Sequence, residues 1–206
     1  MIYVARHGET DWNREGRYQG QRESQLTDIG TAQARALADA LAPERITRVI
    51  ASPLARCLDT ARPLAARLNV ALESDAALIE IAHGTWEGRL RSAIEREDPA
   101  AMEMWREHPD RVHFEGGESL AQVNGRWREF VRRLGDADGV AIVTHDVIVR
   151  LAILTATGAA LSELWKPQVV NGGYAVFRGG GSWELLDPCV ATHLGALTVD
   201  TASQAL

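Results

Sequence analysis

Two histidines and two arginines stand where short apolar runs end. Ile2 to Ala5 leads into Arg6-His7-Gly8, Val49 to Ala51 into Ser52-Pro53-Leu54-Ala55-Arg56, and Gly139 to Thr144 into His145. Each run reads as a buried strand, and in open α/β sheets ligands gather at the carboxyl edge of the strands. One histidine at a strand end is commonly a hydrogen-bonded structural residue. Three polar strand ends at one edge form a constellation. Its residue types suit phosphoryl transfer: a guanidinium fork matches a pair of phosphate oxygens, and each charge-assisted hydrogen bond is worth roughly 1.5–3 kcal/mol. A neutral imidazole beside them can attack phosphorus.

The elements that must hold these residues follow from periodicity. From Asp28, Ala34, Leu37, Ala38 and Leu41 recur at helical spacing until Pro43. Ser52 is expected to cap a helix with Pro53 in its first turn and an apolar stripe of Leu54, Leu58, Ala61, Ala65 and Leu68. Val70 to Leu72 reads as a weak strand, and the two glycines of Glu80-Ile81-Ala82-His83-Gly84-Thr85-Trp86-Glu87-Gly88 argue for a loop. Residues 89–107 read as one charged amphipathic helix bearing Ile94, Met102 and Trp105, ended by Pro109, within a lid-like insertion over about 84–117. Ser119 is expected to cap the next helix with Glu118 in its first turn, and 147–157 forms a buried helix. Ala175 to Phe177 and Trp183 to Leu186 flank Gly179-Gly180-Gly181 as a hairpin. Strands alternating with helices, with no linker or repeat, give a single α/β domain over 1–206. Its architecture is a three-layer αβα sandwich around a mostly parallel central sheet. The tail 187–206 carries Val190, Leu194, Leu197 and Val199 and is expected to dock near the site, unlike a solvated tail.

Composition narrows the partners. The 206 residues are 46% apolar and 24% charged, with a formal charge of −6, which excludes a disordered chain and a general basic footprint for nucleic acid or anionic membrane. An anion site must therefore be local. Lys166 is the one lysine among the 22 cations, a bias that codon usage explains without any phosphate site. The start lacks the apolar core of a signal peptide and no stretch has the length of a membrane span. Cys57 and Cys189 are then expected to be reduced, in a cytoplasmic protein. His83, His108, His113 and His193 lack zinc-motif spacing, so no metal and no cofactor are expected.

Arg6-His7-Gly8-Glu9-Thr10, followed by Asn13, resembles the signature of the histidine phosphatase (phosphoglycerate mutase-like) superfamily. The resemblance extends in order through Leu26-Thr27 with Gly30, Ser52 to Arg56 with Thr60-Ala61, Glu80 before Gly84 to Gly88, Gly116-Gly117-Glu118-Ser119, and Val143-Thr144-His145. It implies His7 as a phosphorylated nucleophile, Glu80 as proton donor, and Arg6, Arg56 and His145 as the phosphate pocket. Asn13 and Gln19 are implied as further contacts on the phosphate side. Asp146 departs from the pattern, which usually has glycine after the second histidine. Its expected use is as the cap of helix 147–157; otherwise it must turn away from the phosphate or pair with Arg150 one helical turn on.

Within the superfamily, mutases of the dimeric type carry a longer insertion and an asparagine after His-Gly that this chain lacks, so the resemblance favours a phosphatase. Glu80 to Gly84, Val112 to Ser119 and Thr192 to Gly195 look most like the metal-independent phosphoserine phosphatase branch, which assigns His83 and the tail to the far end of the substrate. The expected partner is a small phosphomonoester, with a homodimer as a candidate assembly. Sugar or α-ribazole phosphates and a phosphoglycerate mutase are the alternative readings. A phosphate-binding scaffold without turnover is the non-enzyme alternative, opposed by the intact Arg6, His7, Arg56, Glu80 and His145. In this reading the arginines and a protonated His145 supply the charge stabilisation that a metal supplies elsewhere.

Overall fold

In a computed structural model of the chain, the described residues are 1–180, 182–202, 204 and 205. Strand β1 (Ile2–Arg6) is buried along its whole length, and Thr10 then caps a short helix α1 (Asp11–Glu15) in a capping box with Asn13. Helix α2 (Asp28–Leu41) begins at Thr27, whose hydroxyl accepts from the Gly30 amide, and turns Ala34, Leu37, Ala38 and Leu41 inward. Strand β2 (Arg48–Ala51) leads to α3 (Ala55–Leu68). That helix starts later than Ser52-Pro53 suggested. Leu54 takes the cap position with no side-chain bond, while the Ser52 hydroxyl bonds His145 and accepts only a long contact, 3.5 Å, from the Leu54 amide.

Strand β3 (Leu72–Ser74) is displaced from the expected 70–72, since Asn69 closes α3 in a left-handed conformation and the Val70 amide still bonds Ala65. The expected helix over 89–107 is two, α4 (Arg91–Glu97) and α5 (Pro99–Glu107). Pro99 has no amide hydrogen and drives Asp98 out of the helical region, to φ −140 and ψ 74; the Asp98 carboxylate then caps α5 at the Ala101 amide. Helix α6 (Leu120–Leu134) is capped by Ser119 in a box closed by Gln122, leaving Glu118 outside the helix. Strand β4 (Val140–Thr144) runs into α7 (Asp146–Thr157), with His145 at its cap position. The hairpin of β5 (Tyr174–Arg178) and β6 (Glu184–Val190) is longer than expected, so the tail begins after Val190; Trp183 precedes its strand and Gly181 lies outside the described residues.

These strands form one mixed six-stranded sheet in the order β3-β2-β4-β1-β5-β6. β3, β2, β4 and β1 pair in parallel, β5 is antiparallel to β1, and β6 antiparallel to β5. Arg6 is in register with Thr144, and Ala51 with Val143, so the ends of β1, β4 and β2 lie side by side. One face is covered by α2 and α3 around Leu37, Leu41, Cys57 and Leu64. The other carries α6, α7 and the 84–117 insertion, whose Ile94, Met102, Trp105 and Phe114 join Trp127, Ile148 and Leu151 in a continuous core. Three layers result. Among the described residues no helix is long and apolar enough to cross a membrane.

Candidate active site

The register places Arg6, His7 and His145 at adjacent strand ends, and tight turns hold them. After β1 the backbone passes so close to the first turn of α2 that a Cβ on Gly8 would lie 2.5 Å from the Gly30 carbonyl oxygen, and one on Gly30 would lie 2.0 Å from that of Glu9. No side chain fits at either position. The Gly8 amide donates to the Thr60 hydroxyl at 3.0 Å, tying this turn to α3.

His7 is 3% exposed, with Nδ1 at 2.7 Å from the Gly8 carbonyl. A carbonyl only accepts, so Nδ1 carries the hydrogen and the neutral ring keeps its lone pair on Nε2. Burial, followed by the charges of Arg56 and Arg6, holds the ring well below the usual histidine range, so the free base persists at neutral pH. Arg56 is aimed by the turn between Gln19 and Arg22: its Nη2 donates to the Gly20 carbonyl at 2.7 Å and its Nη1 to that of Arg22 at 2.8 Å. Arg6 donates Nη2 to Gln204 Oε1 at 2.6 Å and faces Asp146 Oδ2 through Nη1 at 3.2 Å.

Seven of the eight expected site residues, Arg6, His7, Asn13, Gln19, Arg56, Glu80 and His83, line one cavity of about 20 Å³ together with Gly20, Asp146, Val147 and Ala205. Such a space holds about one water molecule. The eighth, His145, stands behind His7, ring centroids 5.3 Å apart, with Nε2 at 2.7 Å from the Ser52 hydroxyl and Cys57 Sγ at 3.4 Å from the same nitrogen. Burial and the surrounding arginines depress its proton affinity well below the usual range. Without phosphate in the site, burial first and then Arg56 favour the neutral form of His145.

Glu80 behaves in the opposite way. Burial raises its pKa to about 7, opposed by the Ile81 amide that donates to Oε1 at 2.9 Å and reinforced by the negative charge of Asp146. Its loop is anchored from behind by Arg126, which donates to the carbonyls of Ala77, Ile79 and Glu80 and pairs with Glu118 at 3.1 Å. Gln19 accepts from Ser24 and Thr10, and Asn13 Oδ1 accepts from Asn171, which leaves the amide nitrogen of Asn13 directed elsewhere. His83 lies among Tyr18, Trp105 and Phe114, and burial pushes its pKa down to about 3. Arg6 Nε and Nη1, Arg56 Nε, Asn13 Nδ2 and both ring nitrogens of His83 are buried without a hydrogen-bond partner among the described residues, as are the indole nitrogens of Trp127 and Trp183 and Nδ1 of His193 away from the cavity. Buried polar groups are rarely orphaned, and six of these atoms belong to four residues around one cavity.

Sequence reasoning did not reach Gln204, Asn171 or Arg126. Gln204 links Arg6 to Asn171, donating to Asn171 Oδ1 at 2.8 Å, and Arg91 of α4 donates to the Ala202 and Gln204 carbonyls. These are contacts between residues far apart in the chain, with no local pattern to announce them. Asp146 is the first residue of α7 and not its cap, and its carboxylate pairs with both Arg150 and Arg6.

Comparison with known proteins decides the family. Residues 2–187 match the family model of the histidine phosphatase superfamily, branch 1. This chain is a histidine phosphatase superfamily member. It is 35% identical over 180 residues to phosphoserine phosphatase 1 of Hydrogenobacter thermophilus, covering 86% of this chain and 85% of that protein. To glucosyl-3-phosphoglycerate phosphatase of Mycobacterium tuberculosis it is 32% identical over 196 residues, 90% of this chain and 84% of that one. The solved structure of Bacillus stearothermophilus YhfR superposes with a TM-score of 0.88 at 29% identity, covering 94% and 98% of the two chains. The fold of this superfamily member is accordingly a mixed six-stranded sheet flanked by helices.

Proposed function

We propose that this protein is a phosphomonoesterase working through a phosphohistidine, with phosphoserine as its first candidate substrate. The observation that carries the reading is His7: Nδ1 is committed to a carbonyl, Nε2 is bare, and two buried guanidiniums stand beside it with unpaired Nε donors. Nε2 attacks phosphorus as the P–O ester bond breaks, and Glu80, protonated below about pH 7, gives its proton to the leaving oxygen. Water then attacks the phosphohistidine, its proton passing to Glu80 while the N–P bond breaks. Arg6 and Arg56 stabilise the charge on the transferring group. His145, neutral in the unliganded site, gains proton affinity once a phosphate dianion offsets the arginines.

Two observations support a small substrate. The relative at 35% identity is a phosphoserine phosphatase, and the cavity has a volume of only about 20 Å³, with Ala205 of the tail among its lining residues. The unpaired nitrogens of His83 suit a polar far end such as an amino-acid backbone. A panel of phosphomonoesters ranked by kcat/KM tests this, with phosphoserine expected at the top and His7→Ala inactive on all of them. A sugar phosphate ranked first would move the substrate toward that of the mycobacterial relative. Activity retained in His7→Ala would remove the mechanism.

A further inference from the structure

Asp146 is the group in the pocket that this mechanism does not use. Its carboxylate is 1% exposed, lines the cavity and adds a negative charge where a phosphate must bind. Like charge weakens phosphate affinity, so its place beside Arg6 needs a compensating use. The surroundings indicate one. Arg6 donates Nη2 to Gln204 and is paired with Asp146 by charge, Nη1 standing 3.2 Å from Oδ2, while Nη1 and Nε have no hydrogen-bond partner among the described residues. Asp146 is itself immobilised: its other oxygen accepts from Arg150 Nε, while Arg150 donates to the Pro167 and Leu164 carbonyls and lies over Trp165, 5.0 Å from the ring centroid. A chain of fixed groups thus runs from the 164–167 turn to the guanidinium beside His7.

We propose that Asp146 is a positioning residue for phosphoryl transfer, clamping Arg6 so that its free donor meets the transferring phosphoryl group and does not follow the bound substrate. The proposal rests on the phosphohistidine reading above. A guanidinium free to settle on the ground-state phosphate would bind substrate and transition state alike and would not raise kcat; one held in place reserves its contact for the displaced phosphoryl group. The charged groups facing Asp146 are Arg6 from β1, Arg150 from its own helix and Glu80 from the loop before the insertion.

Asp146→Asn keeps the shape but loses the charge that pairs with Arg6. Calorimetry with inorganic phosphate is expected to show binding at least about threefold tighter in Asp146→Asn, because a like charge has gone. Its kcat on p-nitrophenyl phosphate is expected to fall about tenfold, because Arg6 is no longer held in line. Asp146→Ala should exaggerate the loss of kcat. Tighter phosphate with slower turnover is a split that a merely structural ion pair would not produce. A folded Asp146→Asn with wild-type phosphate affinity and wild-type kcat overturns the proposal, as does a loss of both in proportion to the folded fraction. His7→Ala, run alongside, separates the two claims: if it is inactive while Asp146→Asn is wild-type, only the clamp fails, and if it is active the underlying mechanism fails.

Discussion

At the scale of single residues, the site works by pushing neighbouring titratable groups apart. The same burial that keeps His7 and His145 unprotonated keeps Glu80 protonated to about pH 7, because desolvation disfavours whichever form is charged. Nucleophile and acid are thereby both competent in one pH window. As pH rises through about 7 Glu80 loses its proton, so kcat/KM for an alkyl phosphate should fall on the alkaline side, while the acid limb set by His7 lies below the ordinary histidine value. Glu80→Gln should cost an alkyl phosphate about 10²–10⁴-fold and p-nitrophenyl phosphate far less, since a phenoxide leaves without a proton. Equal losses on the two substrates would take Glu80 out of the role. Arg6, His7 and Arg56 were marked in the sequence by the strand ends before them and Glu80 by the family resemblance, and the structure brings all four to one cavity. The environment of His145 was not legible there, since burial and the charges of Arg56, Arg126 and Arg6 come together only in the folded chain.

At the scale of elements, the strands and most helices followed from periodicity, whereas their ends were decided by competition for particular groups. Ser52 bonds His145 where a cap was expected, and the 89–107 helix broke where Pro99 removed a donor and Asp98 supplied a cap. Contacts made by the tail were illegible for a different reason: Gln204 meets Arg6 across 198 residues of sequence, and no local pattern encodes such a meeting. That contact makes a measurable difference. Removing residues 200–206 deletes Gln204 and Ala205 while sparing β6 and the 3-10 turn of Thr192–Leu197. The truncated protein should lose kcat/KM for phosphoserine about tenfold more than for p-nitrophenyl phosphate, which does not use the far end of the pocket. Parallel losses for the two substrates would assign the tail to holding Arg6 and not to recognition. In the insertion, Trp105 of α5 is 1% exposed and part of the core. Trp105→Ala should therefore destabilise the fold by about 3–5 kcal/mol in urea titration.

At the scale of the whole molecule, a mixed sheet brings three strand ends to one edge, α2 and α3 cover one face, the insertion joins the core on the other, and Ala205 of the tail lines the cavity. The guanidiniums of Arg6 and Arg56 line the pocket with the carboxyl groups of Asp146 and Glu80, and Arg150 pairs with Asp146. Phosphatase activity should accordingly survive prolonged EDTA treatment, and a loss restored by one added metal would show that the arginines alone do not suffice. The central claim is that phosphorus passes through His7, and rapid acid-free quenching of the enzyme with a ³²P-labelled phosphomonoester tests it most directly. The account predicts label that is stable to alkali, labile to acid, and absent from His7→Ala; label that persists in His7→Ala, or turnover by wild-type enzyme with no trappable phosphoenzyme at any quench time, would contradict it.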